Sequence, residues 1–195
     1  MPLLYKQHVG QNGLYIRADE FREDNEWPGD YTAGGNHPVH LGDYLGDQKQ
    51  YRVLHKLGVG RGSLVWLCRV RDSEPAQYVA VKIITAYYSD HAQNRELEMT
   101  TRLQEIAQRD PEIAEYCCLP LDKFRIEGPN GSHQCFVYPV AGPSLVYLWM
   151  RVNDPDETLQ KLARQAAEAM AALHRHGICH GGKHSLLTDL FRSTC

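Results

Sequence analysis

Apolar and polar positions change their period at residue 51. Before it no helical or strand repeat is sustained, and turn formers cluster at Pro28-Gly29-Asp30, Gly34-Gly35-Asn36 and His37-Pro38. This predicts an irregular arm through Asp47, frayed over Met1 to Gly13 and partly docked through Phe21, Trp27, Tyr31, Val39 and Leu41. From Tyr51 the runs Tyr51-Arg-Val-Leu-His-Lys-Leu57 and Leu64-Val-Trp-Leu-Cys-Arg-Val70 are rich in β-branched and apolar residues and meet through a glycine-rich bend, which predicts a hairpin. After the polar turn Arg71-Asp-Ser-Glu-Pro-Ala76, Tyr78-Val-Ala-Val-Lys-Ile-Ile84 supplies a third antiparallel strand.

Ser89 or Asp90 can cap a helix running to about Gln108, with Leu97, Leu103 and Ile106 facing inward and Arg109-Asp110-Pro111 ending it. Two more strands, Leu119 to Glu127 and His133 to Val140, flank Gly128-Pro-Asn-Gly131. Asn-Gly is a hairpin signal, and Pro129 ahead of it points to a loop longer than two residues. A second helix starts at Asp154, with Pro155 at its first position and Glu157 at the capping-box position. Leu159, Leu162, Ala166, Met170 and Leu173 keep helical spacing down to Gly177, a C-terminal cap, with His174, Arg175 and His176 complementing the carbonyl end. The chain contains no internal repeat.

With 195 residues, 43% of them hydrophobic, the chain can build one sizeable core. A formal charge of -3 gives no basic field for nucleic acid or for an anionic membrane surface, so phosphate recognition has to be local. The six cysteines, Cys68, Cys117, Cys118, Cys135, Cys179 and Cys195, show no Cys-x-x-Cys spacing. The N-terminus has no secretion-like apolar stretch, and no segment reaches the ~20 apolar residues of a membrane span. These features lead us to expect a soluble protein with reduced thiols, in cytoplasm, nucleus or both.

Gly58 and Gly60 let a strand turn pass close to phosphate oxygens, where a Cβ would hold the backbone amides away. A Gly-x-Gly alone is also an ordinary hairpin turn. Val65 after the bend and Ala80-Val-Lys82 one strand later strengthen the reading as the ATP-handling strands of a protein kinase, with Leu57, Gly58, Val59 and Gly60 over the nucleotide. Val65 and Ala80 then cover the adenine, and Lys82 presents its ammonium to the α- and β-phosphates; the plain alternative for Lys82 is a surface strand lysine. Lys82 needs a carboxylate from the next helix. Glu96 and Glu98 compete, and the spacing from Glu96 to the apolar Met99 favours Glu96.

Gly34-Gly-Asn-His-Pro-Val-His-Leu-Gly-Asp43, Lys56-Leu-Gly-Val-Gly-Arg-Gly-Ser-Leu-Val-Trp-Leu67 and Phe124-Arg-Ile-Glu-Gly-Pro-Asn-Gly-Ser-His-Gln-Cys135 together resemble the SR-protein kinases, in particular their filamentous-fungal branch. The resemblance covers about Trp27 to Gly181, and the Gly-Pro-Asn-Gly-x-His-x-Cys hairpin is its most selective part. It implies an ATP-dependent, magnesium-assisted transfer of phosphate to serines of Ser/Arg-rich proteins. It also implies that Tyr138 is the gatekeeper behind the adenine and that Pro139-Val140-Ala141 is the hinge, bonding the adenine edge through the Pro139 carbonyl and the Ala141 N–H. Ser63 in the third glycine position is usual for that family.

The chain departs from the pattern at Asn36, which replaces an aromatic, and at Thr100, which replaces a larger apolar residue of the column linking the lobes. The tail departs further: after Ile178-Cys-His180-Gly181 the family continues with the aspartate that orients the substrate hydroxyl and then an asparagine, whereas Gly182-Lys-His-Ser-Leu-Leu-Thr-Asp189 follows here. Asp189 lies too far along to serve as the base, and His174, His176 and His180 match no zinc spacing. Gly182-Lys183 can be encoded GGT-AAG, which contains the form of an intron's 5′ boundary, so translation through an unspliced intron would give this tail.

The expectation is an α+β, protein-kinase-like fold: a five-stranded antiparallel small lobe with one helix, plus the first helices of an incomplete large lobe. The divisions are an arm over 1–47, an ATP-binding small lobe over 48–140, a hinge and large-lobe start over 141–181, and a divergent tail over 182–195. No catalytic or metal-binding set is intact. The expected function is a serine/threonine kinase domain of SR-protein-kinase type, able to grip ATP and deficient in transfer; the alternative is a non-catalytic ATP-binding or interaction module. The second helix, lacking its usual companions, would expose part of its apolar face.

Overall fold

The computed structural model describes residues 8–9, 15–16, 26–60, 62–89, 94–142 and 154–179. Two compact units are present, Met1–Asn94 with Asp122–Val137, and Arg95–Leu121 with Tyr138–Cys195. The tail over 182–195 and His180 lie outside the described residues.

The first unit is built on a sheet. Short strands β1 (His8–Val9) and β2 (Tyr15–Ile16) pair with each other, and β3 (Tyr44–Leu45), β4 (Tyr51–Gly60), β5 (Ser63–Val70), β6 (Tyr78–Ile84), β7 (Asp122–Gly128) and β8 (Gly131–Pro139) form a six-stranded sheet in the order β3-β4-β5-β6-β8-β7. Five strands were expected; β3 is the sixth. Two residues are too few to show a period, yet Leu45 pairs with Tyr51 and is buried, and the Val53 N–H donates to the Asp43 carbonyl at 2.8 Å.

Alternation along the strands sends Leu64, Trp66 and Cys68 of β5 and Val79, Val81 and Ile83 of β6 into one core, with Tyr51, Val53, Phe124, Cys135 and Val137. Tyr31 and Val39 of the arm pack against this core. The arm also supplies backbone partners. Gly34 N–H donates to the Asn130 carbonyl at 2.8 Å, and the Gly35 and Gly34 carbonyls accept from the Ala86 and Tyr87 amides at 3.1 and 2.7 Å.

Two local expectations are corrected. Gly128 pairs with Gly131, so the β7–β8 loop is the two-residue Pro129-Asn130; Gly131, at φ +126°, takes a conformation open to glycine and absorbs the constraint imposed by Pro129. Ser89 does not cap the long helix, and Asp90, the other candidate, lies outside the described residues. Ser89 ends a short helix α1 (Ala86–Ser89), where its buried hydroxyl donates to the Ile84 carbonyl at 3.3 Å and accepts the Gln134 N–H at 2.8 Å, linking α1 to β8.

The second unit contains α2 (Arg95–Arg109), α3 (Ile113–Tyr116) and α4 (Pro155–Arg175). Leu103, Ile106 and Ala107 of α2 pack against a core of Ile113, Ala172, Leu173 and Ile178. The Asp154 carboxylate accepts the Glu157 N–H at 3.0 Å, capping α4 as its sequence predicts. At the other end Gly177, φ +65°, donates to the His174 carbonyl and Ile178 donates to the Leu173 carbonyl, each at 3.0 Å, a Schellman closure. The inward face of α4 is led by Ala169, Ala172 and Leu173, while Leu159 is 55% exposed. No described helix is long and apolar enough to cross a membrane.

Candidate nucleotide-binding site

Strand register brings three of the sequence-predicted residues into one row. Val65 on β5 stands opposite Gly58 on β4 and opposite Lys82 on β6; one step along, Leu67 stands opposite Ala80. Opposed residues on antiparallel strands project to the same face. Val65, Leu67, Ala80 and Lys82 therefore share the sheet face turned away from the Leu64, Trp66 and Val81 core.

Above this face the backbone is open at one point. A Cβ added to Gly58 would meet nothing within 4 Å, so the glycine answers no packing need of the chain itself. It leaves a cradle beside Val65 and Lys82 that a phosphate chain or an adenine edge can approach, which is the fit that a nucleotide requires. Gly60 pairs with Ser63, and a Cβ there would lie 3.0 Å from Ser63 Oγ. Val59 packs against the core, and Leu57 stands at the rim, 45% exposed. Lys82 is half-buried.

The strand leading into the bend is fixed at its root. Lys56 Nζ pairs with the Glu26 carboxylate of the arm and lies 5.2 Å from the centre of the Trp66 ring. The Tyr31 hydroxyl donates to the same Glu26 oxygen at 2.7 Å. Nothing in the sequence pattern pointed to Glu26, because a lone acid in an irregular arm carries no periodic signal.

Glu96 and Tyr138 belong to the helical unit. Of the two competing acids, Glu96 is half-buried and Glu98 is exposed. Burial pushes the Tyr138 phenol well above its ordinary range, the Glu96 charge adds to the rise, and a hydrogen bond with the Thr100 side chain opposes it; the phenol also hydrogen-bonds Glu96. Thr100 is buried on α2. Its departure from an apolar residue thus has a local reason, since the buried hydroxyl finds its partner in Tyr138. Beyond Tyr138, Pro139 ends β8, and Val140 and Ala141 of the expected hinge are exposed.

The fold that carries the row on β4–β6 is protein-kinase-like. The chain superimposes on the crystal structure of a kinase domain with a TM-score of 0.53, covering 71% of this chain and 38% of that one at 21% identity. It is 35% identical over 174 residues to the serine/threonine-protein kinase spk-1 of Caenorhabditis elegans and 34% identical over 167 residues to the human SRSF protein kinase 3. Its relatives at this identity, aligned over most of the chain, are SR-protein kinases. These alignments take in 86% and 83% of this chain but only 17% and 28% of the two relatives, so the chain spans a minor part of the proteins it matches. Nematode and mammalian kinases match at similar identity and do not single out the fungal branch. No protein-family model matches the chain.

Proposed function

We propose that this chain is the ATP-binding part of an SR-type serine/threonine protein kinase and that it grips nucleotide without efficient phosphoryl transfer. The observation that carries the reading is the row Gly58–Val65–Lys82 with open space over Gly58. In it Val65 and Ala80 cover the adenine and Lys82 holds the α- and β-phosphates; roles for Glu96, Tyr138, Pro139 and Ala141 rest on the family resemblance alone. ATP when bound supplies the transferable phosphoryl group, with magnesium as its counter-ion in the family.

Gly182 supports the deficiency. It follows His180-Gly181, where the family places the aspartate that accepts the hydroxyl proton, and glycine has no group for that role. Substrates of the Ser/Arg-rich class, and a cytoplasmic or nuclear site of action, follow from the family alone.

Two measurements test the proposal. ATP titrated into the protein should bind, and Lys82→Ala should weaken binding about 10–100-fold, the loss of one charge-assisted contact. Phosphate incorporation into an Arg-Ser peptide should be absent. Transfer that disappears in Lys82→Ala would refute the deficiency, and equal ATP affinity in wild type and Lys82→Ala would refute the nucleotide site.

A further inference from the structure

Gly62, just past the glycine bend, is held by contacts that no part of the proposed nucleotide grip requires. A Cβ added to it would lie 2.5 Å from Cδ2 and 2.6 Å from Cε2 of Tyr88, so the phenol ring rests directly against the Gly62 backbone. The Gly62 carbonyl accepts the Thr85 N–H at 2.9 Å, and the Gly62 N–H donates to the Gly60 carbonyl at 2.7 Å. Thr85 immediately precedes α1, the short helix that carries Tyr88. One segment therefore meets the downstream shoulder of the bend twice, once through an amide and once through a ring.

That segment is itself fixed. The arm accepts its Ala86 and Tyr87 amides, and Ser89 joins it to β6 and β8 through the Ile84 carbonyl and the Gln134 amide. The Tyr87 ring meets the Tyr88 ring edge-on with centroids 5.2 Å apart. Tyr88 is 44% exposed, so its place is not dictated by burial in the core.

We propose that Tyr88 is a positioning residue for the nucleotide loop. Its ring and the Thr85 amide seat Gly62, and through the Gly60–Ser63 pairing they hold the end of β4 in one place above the face carrying Val65 and Lys82. A loop ordered before binding loses less conformational freedom when the ligand arrives, so the seat raises affinity without touching the ligand. The inference rests on the nucleotide reading above.

The test uses the full chain and three variants, Tyr88→Ala, Tyr88→Phe and Gly62→Ala, read by ATP titration, hydrogen exchange and thermal melting. Tyr88→Ala should weaken ATP binding about ten-fold and speed exchange at the Thr85 amide, with melting unchanged. Tyr88→Phe should match wild type in all three, because the ring and not the hydroxyl meets Gly62. Gly62→Ala should reproduce Tyr88→Ala, since its methyl displaces the ring, and the double variant should be no weaker than either single one. Wild-type exchange and affinity in Tyr88→Ala overturn the proposal. So does an affinity loss that only tracks a fall in melting temperature, which would mark Tyr88 as general support. If wild type binds no ATP, the nucleotide reading fails alone; faster Thr85 exchange in Tyr88→Ala then still supports the seat, and unchanged exchange overturns it.

Discussion

Replacing Glu26 tests whether the irregular arm holds the strand that leads into the glycine bend. The Glu26 side chain is 11% exposed and that of Lys56 27%, and Glu26 Oε1 accepts from both Lys56 Nζ and the Tyr31 hydroxyl. A hydrogen bond to a charged group contributes about 1.5–3 kcal/mol, and breaking a fully buried ion pair costs about 3–5 kcal/mol. Solvent reaches part of Lys56 and recovers some of that. Glu26→Ala, which strands both donors, should therefore cost about 3 kcal/mol. Glu26→Gln keeps an acceptor in place and loses only the charge assistance, about 1 kcal/mol.

Urea unfolding followed by tryptophan emission reads this directly, because Trp66 is a core residue beside the Lys56 ammonium. The pH dependence supplies a second check. Burial alone would raise the Glu26 pKa, but hydrogen bonds from Lys56, Tyr31 and a backbone amide, with the Lys56 charge, hold it below its ordinary 4.5. Its contribution is then present above 4.5 and lost as pH falls through the lower folded value. Wild type and Glu26→Gln should converge there. A Glu26→Ala protein within about 0.5 kcal/mol of wild type would refute the docking argument, as would a wild-type to Gln difference that persists well into acid.

Further outcomes are expected elsewhere. Asp154→Ala should cost about 1 kcal/mol in the melting of α4 by circular dichroism, with Asp154→Asn close to wild type. Burial and His133 hold the His37 pKa below 6.5 against the opposing Asp43 charge, so the contribution of neutral His37 is present above 6.5 and lost as pH falls through the folded value; the urea midpoint should drop over that window, and His37→Gln should remove the drop. Iodoacetamide should label exposed Cys179 well before Cys68, whose thiol burial pushes up to about 12, and before Cys135, raised by the same cause. Gly182→Asp alone should leave peptide phosphorylation absent, because Leu187 stands where the catalytic-loop pattern puts the magnesium-binding asparagine.

The parts legible in the sequence were those with a repeat. Strands β4 to β6 are runs rich in β-branched and apolar residues, so the strands themselves could be read before the structure, while the face shared by Val65 and Lys82 comes from their register. Strand β3 could not, being two residues long, and neither could the Pro129 turn, where Gly131 supplies the unusual dihedral. In α4 the helical spacing was readable: Leu173 of the expected row is buried and the expected exposure of an apolar position is found at Leu159, but the small residues Ala169 and Ala172 that share the covered side gave no signal. Side-chain hydrogen bonds between distant segments, such as Glu26 with Lys56 or Thr100 with Tyr138, leave no local trace because each partner alone looks ordinary.

The same alternation that builds the core also fixes the candidate site. If Leu64, Trp66, Val81 and Ile83 face inward, then Val65 and Lys82 must face the other way and stand opposite each other. Slipping the register of β5 and β6 by one residue would turn those four side chains to the other face, at about 1.5–3 kcal/mol each, or about 6–12 kcal/mol together. It would also drive the Lys82 ammonium toward the apolar core, which costs further free energy. A loss of that size equals most of the roughly 5–15 kcal/mol by which domains are stable. The position of Lys82 across Val65 from the open backbone of Gly58 is thus not a separate specification added for function; it follows from where the hydrophobic residues of neighbouring strands have to go.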